Sequence, residues 1–240
     1  LITQLFPNIM NILIIAAHPD DEILGMGGTI AKHTSQKDNV TIIYMATGVT
    51  ARREHEVKNI PKKVQEVWQQ EIEKLRQDAK KSAKLLNVEN VRFYDFPDNE
   101  MDGIQLLKVV KVIEKEIGKV KPDRIYTNHY SDLNVDHKVV FNATLTACRP
   151  SGSPVKELLT FEVLSSTEWS YPYNFNPNYF INVEKYVGEK IKAMKSFESE
   201  IRKFPHPRSS ENIEHVVRRW GSVSGFKAAE AFELIRRIDE

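Results

Sequence analysis

Acidic and imidazole side chains are concentrated in residues 18–22 (HPDDE), directly after the apolar run NILIIAA. Four ionisable side chains at the end of a buried strand repel one another unless they are solvated or share a cation. Imidazole and carboxylate groups are both suitable zinc ligands. Pro19 stiffens the turn that aims them. This cluster therefore predicts a site for a divalent cation.

A second cluster, residues 129–137 (HYSDLNVDH), follows another strand-like segment, RIYTN. His137, at the predicted start of a helix, could supply a third protein ligand. Three protein ligands leave one position for water, which is the arrangement of a catalytic zinc site. Two alternatives stay open, a solvated turn at the first cluster and a helix cap at the second, with Asp136 as N-cap. The placement of both clusters at strand ends favours the shared ion.

Hydrophobic patterning predicts four strand–helix pairs before residue 150. The predicted strands are residues 11–18, 40–46, 91–96 and 124–128, and the predicted helices are residues 25–35, 64–86, 103–118 and 137–148. This alternation predicts an α/β fold that is Rossmann-like, with a mostly parallel sheet flanked by helices. Ligands bind beyond the carboxyl ends of such strands. If the first and fourth strands are neighbours, the two clusters can share one ion.

The last 90 or so residues are less regular. They predict a strand at 160–164, an aromatic loop at 167–180 (TEWSYPYNFNPNYF), and helices at 184–203 and 209–220, with a final helix ending at Ile238. We therefore expect one domain spanning residues 1–240. Residues 11–150 form its Rossmann-like catalytic core, and residues 151–240 form an α-rich C-terminal cap.

The composition excludes several classes of protein. Of the 240 residues, 41% are hydrophobic, which is enough for a sizeable core. The net charge is +1 and no block of basic residues is present, so the sequence does not indicate a nucleic-acid-binding surface. The single cysteine, Cys148, excludes an internal disulfide and fits a reducing compartment. No apolar run reaches the roughly 18 residues of a membrane span, so we expect a soluble, cytoplasmic protein.

A nucleotide-binding module of the Rossmann type is the main alternative from another class. It predicts a GxGxxG turn directly after the first strand. The chain has the acidic HPDDE there, which repels a pyrophosphate, and its glycines come later, in GMGG at 25–28. The sequence therefore disfavours nucleotide binding.

AAHPDDE after an N-terminal apolar strand, with a downstream DxNxDH, resembles the LmbE-like (PIG-L) zinc-dependent N-acetylglucosamine deacetylases. That family includes the de-N-acetylases of glycosylphosphatidylinositol, mycothiol and bacillithiol biosynthesis and of chitobiose. The ATG after the second strand, FPD at 96–98 and FPHPRS at 204–209 extend the similarity over most of residues 11–230.

The resemblance implies roles for individual residues. His18, Asp21 and His137 would bind one Zn²⁺ per chain, or another divalent ion such as Fe²⁺. Asp20 would be the general base that acts on water. The expected reaction is the deacetylation of an N-acetylated amino sugar, releasing acetate and the free amine, by a protein that forms homo-oligomers.

Arg76 and Asp98 match the positions of the family that bind sugar hydroxyls. The chain departs from the pattern at Asn134, where many members carry a histidine three residues before the last ligand. An asparagine amide can donate a hydrogen bond to an oxyanion but cannot deliver a proton near neutral pH. His129 and His206 are the candidates for a replacement; otherwise the proton returns through the general base.

Four points stay open. The same chemistry could act on another N-acyl or thiol-conjugate amide, or the chain could be a metal-binding homologue without catalysis, because of Asn134. The aromatic loop could stack on sugar faces, or pack as a lid or a subunit contact. Arg52 and Arg53 could meet a phosphate or remain solvated.

Overall fold

A mixed sheet with helices on both faces forms the frame of the protein. The structure, a computed structural model, describes residues 9–49, 51 and 61–239; residues 1–8, Arg52 and Arg53 lie outside the described residues. Within them, the strands are β1 Asn11–Ala16, β2 Asn39–Ala46, β3 Asn90–Phe96, β4 Arg124–Asn128, β5 Glu157–Phe161, β6 Tyr179–Asn182 and β7 Ala229–Arg237.

The helices of the described residues are α1 Asp21–Ser35, α2 Lys62–Leu85, α3 Leu106–Val120, α4 Val135–Ala147, α5 Val187–Met194 and α6 Ser210–Ser224. None of them combines the length and the hydropathy that a membrane crossing requires. The helices α1, α2, α5 and α6 pack on one face of the sheet, and α3 and α4 pack on the other.

The first strand lies at the centre of this frame. Ile12 and Ile14 belong to the core on one face, and Leu13 and Ile15 to the core on the other, all with no exposed surface. A strand covered on both faces needs apolar side chains at every position. This explains the unbroken run NILIIA.

The strand order, β3-β2-β1-β4-β5-β7-β6, confirms the predicted mostly parallel sheet. β1 pairs in parallel with both β2 and β4, so the predicted neighbourhood of the first and fourth strands is confirmed. After β1 the chain builds β2 and β3 on one side, and β4 then starts the other side. The crevice between the carboxyl ends of β1 and β4 is therefore the topological switch point, where ligands bind in open α/β sheets.

The C-terminal part differs from the prediction in detail. It supplies β5, β6 and β7 to the sheet, and the expected final helix is wrong, because Ala229–Arg237 is strand β7. Its sequence, AEAFELIRR, is rich in helix formers, but antiparallel pairing with β5 and β6 outweighs that preference. The helix expected at 184–203 is shortened to α5, and the expected helix at 25–35 begins four residues earlier, at Asp21.

The glycines of GMGG serve close packing. A Cβ on Gly25 would lie 2.6 Å from the carbonyl oxygen of Glu162, and one on Gly28 would lie 2.9 Å from Cβ of Val183. Any larger residue would push α1 away from the segments that follow β5 and β6. These glycines therefore hold the helix against the sheet, and nothing in their geometry requires a phosphate.

A buried ion pair bridges an interruption in α1, where Met26 has a non-helical φ of −146°. Lys190 Nζ donates to Leu24 O at 2.9 Å and to Glu230 Oε1 at 2.5 Å. The Glu230 carboxylate also accepts two backbone N–H groups from the next turn of α1, at 3.0 and 2.6 Å. The pair thus satisfies backbone groups that the interruption would otherwise leave unpaired.

We predict that Lys190→Met lowers the free energy of unfolding by about 3–5 kcal/mol, because it leaves the buried Glu230 carboxylate without its cation. The double variant Lys190→Met/Glu230→Gln should recover part of this loss, since the amide carries no charge. Urea unfolding followed by circular dichroism measures both, with Lys185→Met, an exposed lysine, as control. A single variant as stable as the control would contradict this account of the pair.

Candidate active site

The turn after β1 is fixed to the end of β4 by hydrogen bonds. Ala17 N–H donates to Asn128 Oδ1 at 2.8 Å, and Asn128 Nδ2 donates to Asp21 Oδ2 at 3.0 Å. Asp20 precedes α1 in a left-handed conformation with φ 105° and makes no side-chain capping bond. Glu22 Oε2 accepts the Asp20 N–H at 3.3 Å, so Glu22 supports the turn from behind.

Three buried donor atoms meet at this turn. His137 Nε2 lies 3.3 Å from both His18 Nδ1 and Asp21 Oδ2, and the latter two atoms are 3.7 Å apart. A tetrahedral zinc ion with ligands at about 2.0–2.1 Å separates its donor atoms by about 3.3–3.4 Å. The two imidazoles and the carboxylate therefore fit one ion of this size, and the group is one that could hold a metal.

Carboxylates lie behind both imidazoles. His18 Nε2 lies 2.9 Å from Asp136 Oδ2 and 3.1 Å from Asp98 Oδ1, and His137 Nδ1 lies 3.1 Å from Asp132 Oδ2. An imidazole whose far N–H faces a carboxylate presents the lone pair of its other nitrogen to a metal. The proton of His18 on Nε2 leaves its Nδ1 directed at the other two donor atoms.

Asp136 is not the N-cap of α4. Asn134 is the cap, and its Oδ1 accepts the backbone N–H of Asp136 at 2.8 Å. The buried Asp136 carboxylate instead accepts the N–H groups of Asn99 and Met101, at 2.6 and 3.1 Å, besides contacting His18. It thus ties the loop after β3 to His18. The sequence feature that could have indicated this role is the position of Asp136 directly before His137 in the motif.

The buried charges shift one another's protonation. Burial raises the pKa of a carboxyl, but His137 and His18 hold the pKa of Asp21 well below its usual value. Burial lowers the pKa of an imidazole, but Asp21 and Asp132 raise the pKa of His137 to about 9. A divalent ion that binds here must displace protons from the rings. The carboxylate itself is already ionised.

Asp20 lies in the same turn but has a different environment. Burial raises its pKa to about 7, and the Arg208 guanidinium, with Nη1 2.8 Å from Asp20 Oδ2, limits the rise. Burial also raises the pKa of Glu22 to about 8, although the Tyr44 hydroxyl donates to it at 2.5 Å. The turn therefore holds three neighbouring acids with distinct affinities for a proton.

A polar cavity of about 340 Å³ opens over the three donor atoms. Among the residues predicted from the sequence, those that line it are His18, Asp20, Asp21, Asp98, Asn134, His137 and His206. The three candidate ligands, the predicted base and several predicted substrate contacts thus border a single space.

Arg76 and His129 are not among the described residues that line the cavity. Arg76, on α2, pairs with Asp95 and lies over the Phe93 ring. His129 has no exposed surface, and its Nε2 lies 2.6 Å from Glu233 Oε2. Burial lowers the pKa of His129 despite that carboxylate. The structure therefore places both side chains outside the lining of this cavity, and their predicted roles stay predictions.

Arg208, two residues after His206 in FPHPRS, is a residue of the site that the sequence does not indicate. Arg208 Nη1 also lies 2.6 Å from Glu200 Oε2, and its Nε donates to Ser165 Oγ at 2.7 Å. All three of these side chains line the cavity. FPHPRS matches the family's pattern, but nothing in its spacing indicates a partner in the turn after β1.

The aromatic side chains of the loop at 167–180 lie in three environments: the cavity, the solvent and the core. Trp169 lines the cavity and is 45% exposed, whereas Tyr171 is 84% exposed. Phe175 is buried and packs edge-on against Trp220. One aromatic face of this loop is therefore available to a ligand in the cavity.

The chain belongs to the GlcNAc-PI de-N-acetylase (PIG-L) family, whose model matches residues 13–148, more than half of its length. The diacetylchitobiose deacetylase of Thermococcus kodakarensis is 24% identical over 247 residues, covering 99% of this chain and 87% of that protein. The predicted family membership is thereby confirmed.

Solved structures share the fold. The N,N'-diacetylchitobiose deacetylase of Pyrococcus horikoshii superposes with a TM-score of 0.72 at 20% identity, covering 96% of this chain and 85% of that one. The 4-carboxy-2-hydroxymuconate hydratase GalB of Pseudomonas putida gives the same TM-score at 16% identity, covering 96% and 99%. Because proteins with different named activities share this fold, function has to be argued from the site.

We predict that Asp136→Asn lowers the affinity for a divalent metal ion by about 10–100-fold, because an amide orients His18 less strongly than a carboxylate. Competition against a chelating indicator measures the affinity. Asp102→Asn, an exposed aspartate on the loop after β3, is the matched control. Equal affinities in the two folded variants would contradict the orienting role of Asp136.

Proposed function

We propose that this protein is a zinc-dependent amidohydrolase that removes the acetyl group from an N-acetylated amino sugar, releasing acetate and the free amine. The observation that carries this proposal is the triangle of His18, Asp21 and His137 donor atoms, with the Asp20 carboxylate beside it in one polar cavity. Membership of a de-N-acetylase family supports the reaction type.

The two imidazoles and the Asp21 carboxylate would hold the zinc ion, one per chain, and leave an open position. When bound, zinc supplies a Lewis acid that polarises a carbonyl and lowers the pKa of a bound water from about 15.7 to about 7. Fe²⁺ is a further candidate, because histidine and carboxylate ligands also suit that ion.

Asp20 is the proposed general base. It lies next to a metal-facing residue in the chain, but its own Oδ2 is held by Arg208 at 2.8 Å and takes no part in the triangle. A carboxylate placed in this way can accept the proton of the attacking water. Proton transfer of this kind contributes about 10²–10⁴-fold to the rate.

Asn134 is the proposed donor to the oxyanion that forms when water attacks the acetamide carbonyl. Its Oδ1 is occupied in capping α4, so the NH₂ end of the amide remains to donate into the cavity that this residue lines. Removal of one such donor typically costs about 10²–10³-fold in rate. The substitution of asparagine for histidine keeps this role and gives up proton delivery.

His206 is the proposed proton donor to the leaving amine. Of the two histidines considered from the sequence, it is the one that lines the cavity. The form of the ring that delivers a proton is the imidazolium. In the neutral ring Nδ1 accepts the backbone N–H of Arg208 at 3.1 Å, so this contact has to open when Nδ1 takes up its proton. His129, buried against Glu233, lacks this access.

Asp98 and Trp169 are the proposed contacts to the sugar. The Asp98 carboxylate can accept hydrogen bonds from sugar hydroxyls, and the partly exposed indole offers an apolar face to the ring. The names of the relatives, which are deacetylases of N-acetylated chitobiose, support a substrate that contains N-acetylglucosamine. A role for Arg76 in binding sugar stays a prediction without support from the cavity.

We predict that Asp20→Asn retains zinc but lowers turnover by about 10²–10⁴-fold, because the amide cannot accept the proton of water. Acetate release from N-acetylglucosamine and N,N'-diacetylchitobiose measures turnover, and elemental analysis measures zinc. In the parent protein, a chelator should abolish the reaction and added zinc should restore it. Full turnover of the variant, or of metal-free parent protein, would reject this mechanism.

The same assay separates the remaining alternatives. Acetate release from N-acetylated thiol conjugates but not from N-acetylated sugars would establish the alternative amidase, which acts on thiol conjugates. Stoichiometric zinc without turnover of any N-acyl compound in the panel would indicate a metal-binding protein without catalysis.

We predict that His206→Gln lowers kcat by about 10²-fold or more and removes the alkaline limb of the pH–rate profile, because the leaving amine loses its acid. His215→Gln, at an exposed position on α6, is the matched control and should retain both limbs. An unchanged profile in the His206 variant would show that the proton reaches the amine by another route, with Asp20 as the remaining candidate.

A further inference from the structure

We propose that Arg208 is the positioning residue for Asp20, and that the C-terminal part of the chain thereby sets the geometry of the base. This inference rests on the proposed function. It concerns a residue 188 positions away in the chain from the aspartate that it contacts.

Asp20 depends on a distant partner for its orientation. It stands at the start of α1, where an aspartate ordinarily turns back to cap the helix, but its side chain makes no capping bond. Its backbone is in the left-handed region, with φ 105°, whereas an ordinary N-cap residue has extended backbone. The contact that replaces the cap is the one between Asp20 Oδ2 and Arg208 Nη1, at 2.8 Å.

Arg208 is itself held on several sides. Its Nη1 donates to Glu200 Oε2 at 2.6 Å and its Nε donates to Ser165 Oγ at 2.7 Å. The next residue, Ser209, caps α6 by accepting the backbone N–H of Asn212 at 3.0 Å. A guanidinium fixed by side chains from two loops and by the start of a helix is a rigid support.

The contacts of Arg208 favour positioning over substrate binding. Its charge is already shared between two carboxylates, Asp20 and Glu200, so little of it remains to attract an anionic group of a ligand. Arg208 contacts Oδ2 of Asp20 and leaves Oδ1 of that carboxylate for the proposed proton transfer. The planar fork of arginine fixes direction as well as distance, which a lysine ammonium does not.

The test compares Arg208→Ala and Arg208→Lys with Arg218→Ala, an exposed arginine on α6 that pairs with Glu214 and serves as control. We expect Arg208→Ala to lower kcat by about 10–100-fold with little change in KM or zinc content. Guanidinium chloride, kept below the unfolding transition, should restore part of kcat in this variant. The lysine variant should fall in between.

A rise in KM with kcat unchanged would overturn the proposal and make Arg208 a substrate contact. An equal loss in the alanine and lysine variants without rescue, together with lower stability in both, would overturn it in favour of a purely structural role.

Crystal structures of the zinc-loaded parent and the Arg208→Ala variant give a readout that does not depend on turnover. We expect the Asp20 carboxylate to leave its parent position in the variant. An Asp20 that stays in place would overturn the proposal. If the parent protein deacetylates nothing, the proposed function fails, but these two structures still decide what Arg208 does.

Discussion

The mutual repulsion of ionisable groups buried together is the constraint on which this site depends. The turn after β1 and the start of α4 bring two imidazoles and a carboxylate to within 3.3–3.7 Å of one another in a buried crevice. Such an arrangement is costly unless protons or a cation are shared among the groups. The parallel pairing of β1 with β4 enforces it, because that pairing places the two loops side by side.

Carboxylates and an amide that surround the site orient its side chains. Asp136 contacts Nε2 of His18, Asp132 contacts Nδ1 of His137, and Asn128 donates to the Asp21 carboxylate. Behind the turn, Glu22 accepts the backbone N–H of Asp20. Outer contacts of this kind fix tautomers and ring orientations before a ligand arrives. The cavity is thereby polar beside His18, Asp21 and His137 and partly aromatic at the loop after β5.

Much of the fold and of the inner site followed from local pattern. Apolar runs of strand length and helical periodicity locate four β–α pairs, and the rule for switch points places HPDDE opposite the loop after β4. Local sequence pattern did not predict the features that depend on contacts between distant residues. AEAFELIRR has the residues of a helix but is a strand, because β5 and β6 offer it partners. Arg208 contacts Asp20 from 188 positions away, and no spacing in the sequence encodes that contact. Arg76 pairs with Asp95 and does not line the cavity, and its sugar-binding role stays a prediction.

Anomalous diffraction at the zinc edge from crystals of the zinc-loaded protein tests the shared ion most directly. We expect a single peak within about 2.0–2.2 Å of His18 Nδ1, Asp21 Oδ2 and His137 Nε2. A protein that binds zinc with the peak elsewhere, or with only one of the two histidines in contact with it, would contradict the central claim.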